Sequence, residues 1–332
     1  MCLPDASDNV IRDASGRELQ METLVFDIPN LSERQRVDRY LTRKIKYATR
    51  NRVQKAIAEQ RVKVNGNPVK NAYALQSGDR LEIQLMRPAA TDMIAEPMDL
   101  DIYYEDEDLI VVCKPPGIAV HPTYKHWDGT LANGLIHHFR QQLKDPEAQI
   151  KPGLIHRLDK NTSGLLVIGK SQQAKRRLSQ QFLKRTPKKI YRAIVVGVPD
   201  KRRGLIETNL APSPRDQKYM ANYPYQGSRG KVARTAWHCL ETFKTHSLLE
   251  VELFTGRTHQ IRTHLAHIGH PILNDWLYGA SLSEAHPLFA LMPRHALHAA
   301  GLSFDHPETR ERLSFDAPLP TDMQQTLEAL RA

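Results

Sequence analysis

The residues best suited to chemistry lie in one run, Gly153 to Ile168, where two apolar stretches flank His156-Arg157-Leu158-Asp159-Lys160. A carboxylate set among cations stays ionised at neutral pH, because opposite charge favours its charged form. An ionised carboxylate is a nucleophile or a base. Taken alone, the run also fits a salt-bridged turn between two strands, and the rest of the chain has to decide.

A second polar cluster, Thr255-Gly256-Arg257-Thr258-His259-Gln260-Ile261-Arg262-Thr263-His264, follows the apolar residues Leu253 and Phe254. Gly256 permits a tight turn, and a helix opens near Thr258 or His259. Arg262 falls about one turn inside it, on the inner face if Ile261 and Leu265 pack. A buried arginine needs a carboxylate partner, and Asp159 is the candidate. A local surface ion pair is the alternative. His259, His264, His267 and His270 invite a metal, yet no glutamate or cysteine falls in register with them. They are expected to make polar contacts, and no metal is expected. Phosphate-loop, dinucleotide, nucleophile-elbow and zinc-protease motifs are missing from the sequence, so ATP, nicotinamide and hydrolase chemistry lack support.

Charge points to the partner. Between Lys160 and Tyr191 there is no acidic residue, while Lys170, Lys175, Arg176, Arg177, Lys184, Arg185, Lys188 and Lys189 all fall there. Such a surface beside a cleft holds phosphates; a basic solvated helix is the plainer alternative. The formal net charge of the 332-residue chain is +10, which favours a nucleic acid ahead of an anionic membrane. Three cysteines far apart do not make a disulfide framework. No basic segment followed by an apolar run opens the chain, and no apolar run approaches the ~20 residues of a membrane helix. A reducing cytoplasm is the expected setting.

The elements that must position these residues divide in two. Residues 1–22 are expected to be a disordered leader. In residues 23–86, Val37, Tyr40, Leu41 and Ile45 fall at helical spacing. Thr49 can cap a second helix carrying Val53 and Ile57. Val62-Lys63-Val64 and Leu81 to Leu85 are short strands, with Asn65-Gly66 a hairpin turn. The polar faces of this module are strongly basic, and Arg36, Arg39, Arg50, Arg52, Lys55 and Lys63 are its candidate RNA contacts. Residues 87–99, with Pro88 and Pro97, are expected to be a linker. Residues 100–332 alternate strands and helices. Ile102 to Tyr104, Leu109 to Cys113, Leu165 to Ile168, Tyr191 to Val198, Thr235 to Leu240 and Leu248 to Phe254 are strands. Helix faces run through Leu131–Phe139 and Ala174–Phe182. A terminal hairpin and a last helix, with Thr321 as its candidate cap, close the chain. Hairpins outnumber strand-helix-strand units, so the expected class is α+β, with a mixed, mainly antiparallel sheet flanked by helices.

Two resemblances now attach to these motifs. Arg36-Val37-Asp38-Arg39-Tyr40-Leu41, then Arg52 to Ile57, Arg61 to Gly66 and Gly78-Asp79, resemble the alpha-L RNA-binding domain, with Thr49-Arg50-Asn51 where a Ser-Arg pair is frequent. His156 to Val167 resembles the signature of the RluA family of pseudouridine synthases, with Asn161 in place of a more usual Asp. Glu105 to Gly117 resembles that family's first motif and Lys189-Ile190-Tyr191-Arg192-Ala193 its tyrosine strand. Thr255 to Arg262 with Gly269-His270-Pro271-Ile272 resembles its arginine motif, and Arg294 to Ala299 its leucine motif. The resemblance implies the pseudouridine synthase fold and an RNA uridine isomerase that needs no cofactor. It makes Asp159 the catalytic carboxylate, Arg262 its partner, and Tyr191 a base-stacking residue within reach of a proton. Leu297 would pack on the uracil, and Arg157 would fill the space left by a flipped base. His156, Arg257, His259 and Gln260 complete the expected substrate contacts. Ribosomal RNA of the large subunit is the expected substrate. A tRNA, or a non-catalytic role in ribosome assembly, is the alternative. RNA is the expected partner, with neither DNA nor a membrane, and the protein is expected to be a monomer.

Overall fold

The spacing of Val37, Tyr40, Leu41 and Ile45 produces the helix Val37–Lys44, and these side chains are buried with Val53, Ala56 and Ile57 of the helix Arg50–Ala58. Both helices pack on Val62, Val64, Leu81 and Ile83 of a small antiparallel sheet. Asn65 and Gly66 both take positive φ, 51° and 80°, as a two-residue hairpin turn requires. The computed structural model describes residues 11–12, 18–29, 35–45, 50–88, 95–122, 128–142, 152–216, 218–279 and 286–332. These fall in two compact units, Met1–Asp92 and Met93–Ala332. Thr49, the expected cap, lies outside the described residues.

Two boundaries differ from expectation. The strand Glu18–Asp27 pairs along the whole of Arg80–Pro88, so the last residues of the expected leader belong to the sheet. The second half of the expected linker belongs to the large unit. Its Glu96 N–H donates to the Asn133 carbonyl (3.2 Å), and Met98 packs on the main core.

The large unit is built on one sheet. Its spatial order is Met220–Tyr223, Arg203–Pro212, Lys231–Thr242, His246–Leu253, Lys188–Val196, Leu297–Asp305, Ser163–Gly169, Leu109–Lys114, Asp101–Glu105. The pairings are antiparallel except that of Ser163–Gly169 with Leu297–Asp305, which is parallel. The sheet is therefore mixed and mainly antiparallel, as expected for the α+β class. Arg203–Pro212 and Met220–Tyr223 were not anticipated. Polar residues interrupt both, and their strand character comes from pairing at the sheet end.

Apolar runs without alternation mark strands covered on both faces. Ile110, Val112, Leu166 and Ile168 face the main core with Leu131 and Leu135 of the helix Leu131–Gln142. Leu109, Val111, Leu165 and Val167 face a second core with Leu178 of the helix Gln172–Lys184. That helix starts where Ser171 Oγ accepts the Ala174 N–H (3.0 Å) and stops at Arg185 in the left-handed conformation. The helix Thr321–Arg331 has Pro320 at its N-cap with no side-chain cap, so Thr321 is its first residue rather than its cap.

Candidate active site

Asp159 sits in the loop that feeds the central strand Ser163–Gly169, and the loop is held from several directions. The Thr162 N–H donates to the Asp159 carbonyl (3.0 Å). The Lys114 ammonium, with no exposed surface, donates to the carbonyls of Lys160 (3.1 Å) and Pro115 (2.6 Å). Burial pushes its pKa down to about 7. Arg294, paired with Asp322 (2.6 and 2.9 Å), reaches the carbonyls of Asn161 (3.0 Å) and Leu297 (3.1 Å). Thr162 Oγ1 is 2.8 Å from His295 Nε2. Gly164 has φ of +121°, and a Cβ there would stand 2.3 Å from the Ala299 carbonyl oxygen. That close approach is where the two parallel strands begin to pair. The parallel pairing thus brings the Asp159 loop beside Leu297.

The opposite wall comes from the helix Gln260–His267. The left-handed residue of its entry turn is His259 (φ 54°), not Gly256. Arg262 is 5% exposed and makes three charge-assisted bonds. Its Nε and Nη2 donate to the two oxygens of the fully buried Asp275 carboxylate, both at 2.7 Å. Its Nη1 donates to Asp159 Oδ2 at 2.9 Å. His259 Nε2 lies 3.8 Å from the same oxygen. Burial alone would raise the Asp159 carboxyl. His259 and Arg262 beside it outweigh that and hold it below the usual carboxylate range. Burial keeps His259 below the ordinary imidazole value, so Arg262 is the partner that is charged at neutral pH. Arg157 and Lys160 are exposed, and the partner of Asp159 comes from 103 residues away.

A cavity of about 420 Å³ opens over this pair. Tyr191, Leu297, His156, Arg157, Arg257, His259 and Gln260 all line it with Asp159 and Arg262. Tyr191 is buried, and burial together with the Asp159 charge raises its phenol well above the ordinary value, so the ring keeps its proton. Arg157 stands exposed among the lining residues. His156 is stacked on Phe182 (4.6 Å between centroids), its Nε2 accepts the Val167 N–H (3.2 Å), and burial pushes it down to about 3. It is a neutral wall residue. Gln260, expected as a substrate contact, has its amide committed inside the protein. Its Nε2 donates to Arg234 O and Thr235 Oγ1, and its Oε1 accepts from Thr255 Oγ1 and the Arg257 N–H. It closes the turn that presents Arg257.

His264 is buried between Thr208 and Thr235 (2.9 Å each) and pushed by burial to about 4, a core histidine. Among the described residues Asp106, Asp108 and His306 cluster closely enough for a cation. Asp106 is already engaged by Tyr104 OH, His306 and the amides of Asp108 and Leu109.

Sequence reasoning missed Asp275, Lys114 and Arg294, which hold the Asp159 loop and Arg262 in place. Lys114 and Arg294 lay inside motifs already singled out. Asp275 had a weaker signal, being the first acid after the arginine cluster, 13 residues beyond Arg262. The acid-free stretch after Asp159 finds acids elsewhere in the fold. Lys170 bonds Glu105 (2.9 Å) and Arg177 pairs with Glu308. Arg176, Lys184, Arg185 and Lys188 are exposed.

In the small unit, Asp38 is buried and holds two of the candidate RNA contacts, Arg36 (3.0 Å) and Arg50 (3.1 Å). Arg39, Lys55 and Lys63 are exposed, with Lys55 within 3.7 Å of Glu59. The Arg52 side chain lies outside the described residues.

Residues 108–267 match the family model for RNA pseudouridylate synthase, and residues 35–81 match that for the S4 domain. An RNA pseudouridine synthase of Chlorobaculum parvum, labelled uncharacterized, is 44% identical over 319 residues, 93% of this chain and 98% of its own. Ribosomal large subunit pseudouridine synthase D of Neisseria meningitidis serogroup B is 40% identical over 306 residues, 89% of this chain and 79% of its own. Among solved structures, Human RNA Pseudouridylate Synthase Domain Containing 1 superposes with a TM-score of 0.53 at 26% identity, covering 71% of this chain and 98% of that one. No helix among the described residues is long and apolar enough to cross a membrane.

Proposed function

Because the chain belongs to the RluA family of RNA pseudouridine synthases, we propose that Asp159 carries its chemistry and that its target uridines lie in large-subunit ribosomal RNA. The observation behind the first part is the grip of Arg262 on Asp159 at the cavity wall. A carboxylate kept charged at neutral pH is available as a nucleophile or base. Arg262 and His259 both approach Oδ2, which turns Oδ1 toward the substrate. The second part rests on the name of the Neisseria relative.

The reaction is an isomerisation. The bond from N1 of uracil to C1′ of ribose breaks, the uracil turns, and C5 bonds to C1′. The proton leaving C5 is balanced by one taken up at N1, so no co-substrate is required. Asp159 either attacks the nucleoside or removes a ribose proton to let the glycosidic bond break. Tyr191 keeps its proton, so it stacks on the base and donates a hydrogen bond rather than acting as a ready base. Leu297 packs on the uracil. A base inside a stem cannot reach Asp159, so it is flipped out, and the exposed Arg157 fills the vacated stack. Exposed Arg39, Lys55 and Lys63 of the small unit hold phosphates.

Asp159→Asn tests the mechanism, being nearly isosteric but unable to act as a carboxylate. It retains RNA binding and forms no pseudouridine; normal turnover by this variant would sink the reading. Site-resolved mapping in a deletion strain tests the substrate. Pseudouridines disappear from large-subunit rRNA, whereas loss confined to tRNA would replace rRNA by tRNA as the target.

A further inference from the structure

Two groups beside the Asp159 carboxylate, Arg262 and His259, are held by one tight turn, Asp275–Gly279. The turn is closed by Tyr278 N–H and Gly279 N–H donating to the Asp275 carbonyl (3.2 and 3.1 Å). Its first residue grips Arg262 on two oxygens. Its fourth, Tyr278, touches both partners. The Tyr278 hydroxyl is 2.9 Å from His259 Nδ1, the two rings meet edge to face (5.7 Å), and the Arg262 guanidinium stands 5.2 Å from the Tyr278 ring centroid.

The hydroxyl has two further neighbours, the Met220 amide and the Thr263 hydroxyl. The backbone N–H of Met220, on the strand Met220–Tyr223, donates to the Tyr278 oxygen at 2.9 Å. An amide N–H can only donate, so the phenol accepts there; the Thr263 hydroxyl spends its own proton on the His259 carbonyl, and the phenol proton is directed to His259 Nδ1, which it meets at 2.9 Å. A neutral imidazole with Nδ1 accepting carries its proton on Nε2. Nε2 is the nitrogen that faces Asp159 Oδ2. The backbone agrees with this. His259 is held left-handed at the helix entry, its carbonyl accepting the Thr263 hydroxyl (2.9 Å). Such a conformation persists only where the surroundings enforce it.

We propose that Tyr278 is a positioning residue for the isomerisation, fixing His259 in the tautomer that turns an N–H toward Asp159. The carboxylate then has an uncharged donor beside the permanent charge of Arg262. The 3.8 Å separation is longer than a hydrogen bond, and it closes when the target base fills the cavity and excludes water. The inference rests on Asp159 being the catalytic carboxylate.

Tyr278→Phe is the test, because it keeps the ring and removes only the hydroxyl. The single-turnover rate falls about tenfold, the worth of one hydrogen bond, while the Kd for RNA stays within twofold of wild type. A long-range proton–nitrogen correlation spectrum of histidine-labelled protein shows His259 protonated at Nε2 in the wild type and as a tautomer mixture in Tyr278→Phe. Should the phenylalanine variant fold poorly, the wild-type spectrum decides by itself. Protonation at Nδ1 in the wild type overturns the proposal, as does a Tyr278→Phe rate within twofold of wild type. Neither result depends on Asp159, whose own role falls only if Asp159→Asn turns over.

Discussion

Replacing Arg262 by lysine separates charge from aim. The guanidinium makes three charge-assisted bonds, two to Asp275 and one to Asp159. A lysine keeps the charge, but its single ammonium cannot hold both oxygens of Asp275 and also reach Asp159. Two of the three bonds are lost, each worth about 1.5–3 kcal/mol where charge is involved. With Arg262 and Asp275 both buried, solvent replaces little of that. The free carboxylate then wanders, and about 1 Å of misplacement costs about 10²-fold in rate. The assay is single-turnover release of tritium from RNA carrying 5-tritiated uridine, since C5 gives up its hydrogen in the reaction. Arg262→Lys shows about 10²-fold slower release with unchanged Kd for RNA. Its acid limb stays near that of wild type, because a cation remains beside the carboxylate. Arg262→Gln removes the cation, burial then raises the Asp159 carboxyl, and the acid limb moves to higher pH. The ionised form is the active one, so activity is lost as pH falls through the folded-state pKa. A folded Arg262→Lys protein that turns over within threefold of wild type would refute the argument that aim matters beyond charge.

Two other substitutions probe the frame that holds the loop. Lys114 titrates near pH 7 when folded and near 10.5 when unfolded. Between those values the unfolded chain binds the extra proton, so this group makes stability rise with pH by about 1.4 kcal/mol per unit. Below pH 7 both states are protonated and the slope vanishes. Lys114→Met flattens the difference in a urea-melt series from pH 7 to 10, and an unchanged slope would show that the ammonium is not desolvated. Gly164→Ala places a Cβ 2.3 Å from the Ala299 carbonyl oxygen at φ of +121°, strain and overpacking that together cost at least about 2 kcal/mol. The denaturation midpoint falls accordingly; a midpoint equal to that of wild type would mean that the parallel strands part without penalty.

Much of this protein follows from local physics, and that much was legible in the chain. The runs Leu109 to Cys113 and Leu165 to Ile168 announce strands covered on both faces, because only double burial tolerates apolar residues without alternation. Asn65-Gly66 announces its hairpin, because few residue pairs accept two positive φ values. Asp159, Tyr191 and Arg262 were recognisable from their motifs, and the cavity gathers all three. What the chain could not disclose is who holds whom. Asp159 has two basic residues beside it in sequence, yet its partner is Arg262, brought close by the order of strands in the sheet. Tyr278 carries no signal of its own and Asp275 only its place as the first acid after the arginine cluster, because their value lies in a turn that meets Arg262 and His259 in space. Gln260 looked available to a substrate, but its amide is spent on the turn before Arg257. Residue type and spacing determine which groups can do chemistry. Tertiary packing decides their charge, tautomer and aim, because those depend on neighbours that no local pattern records.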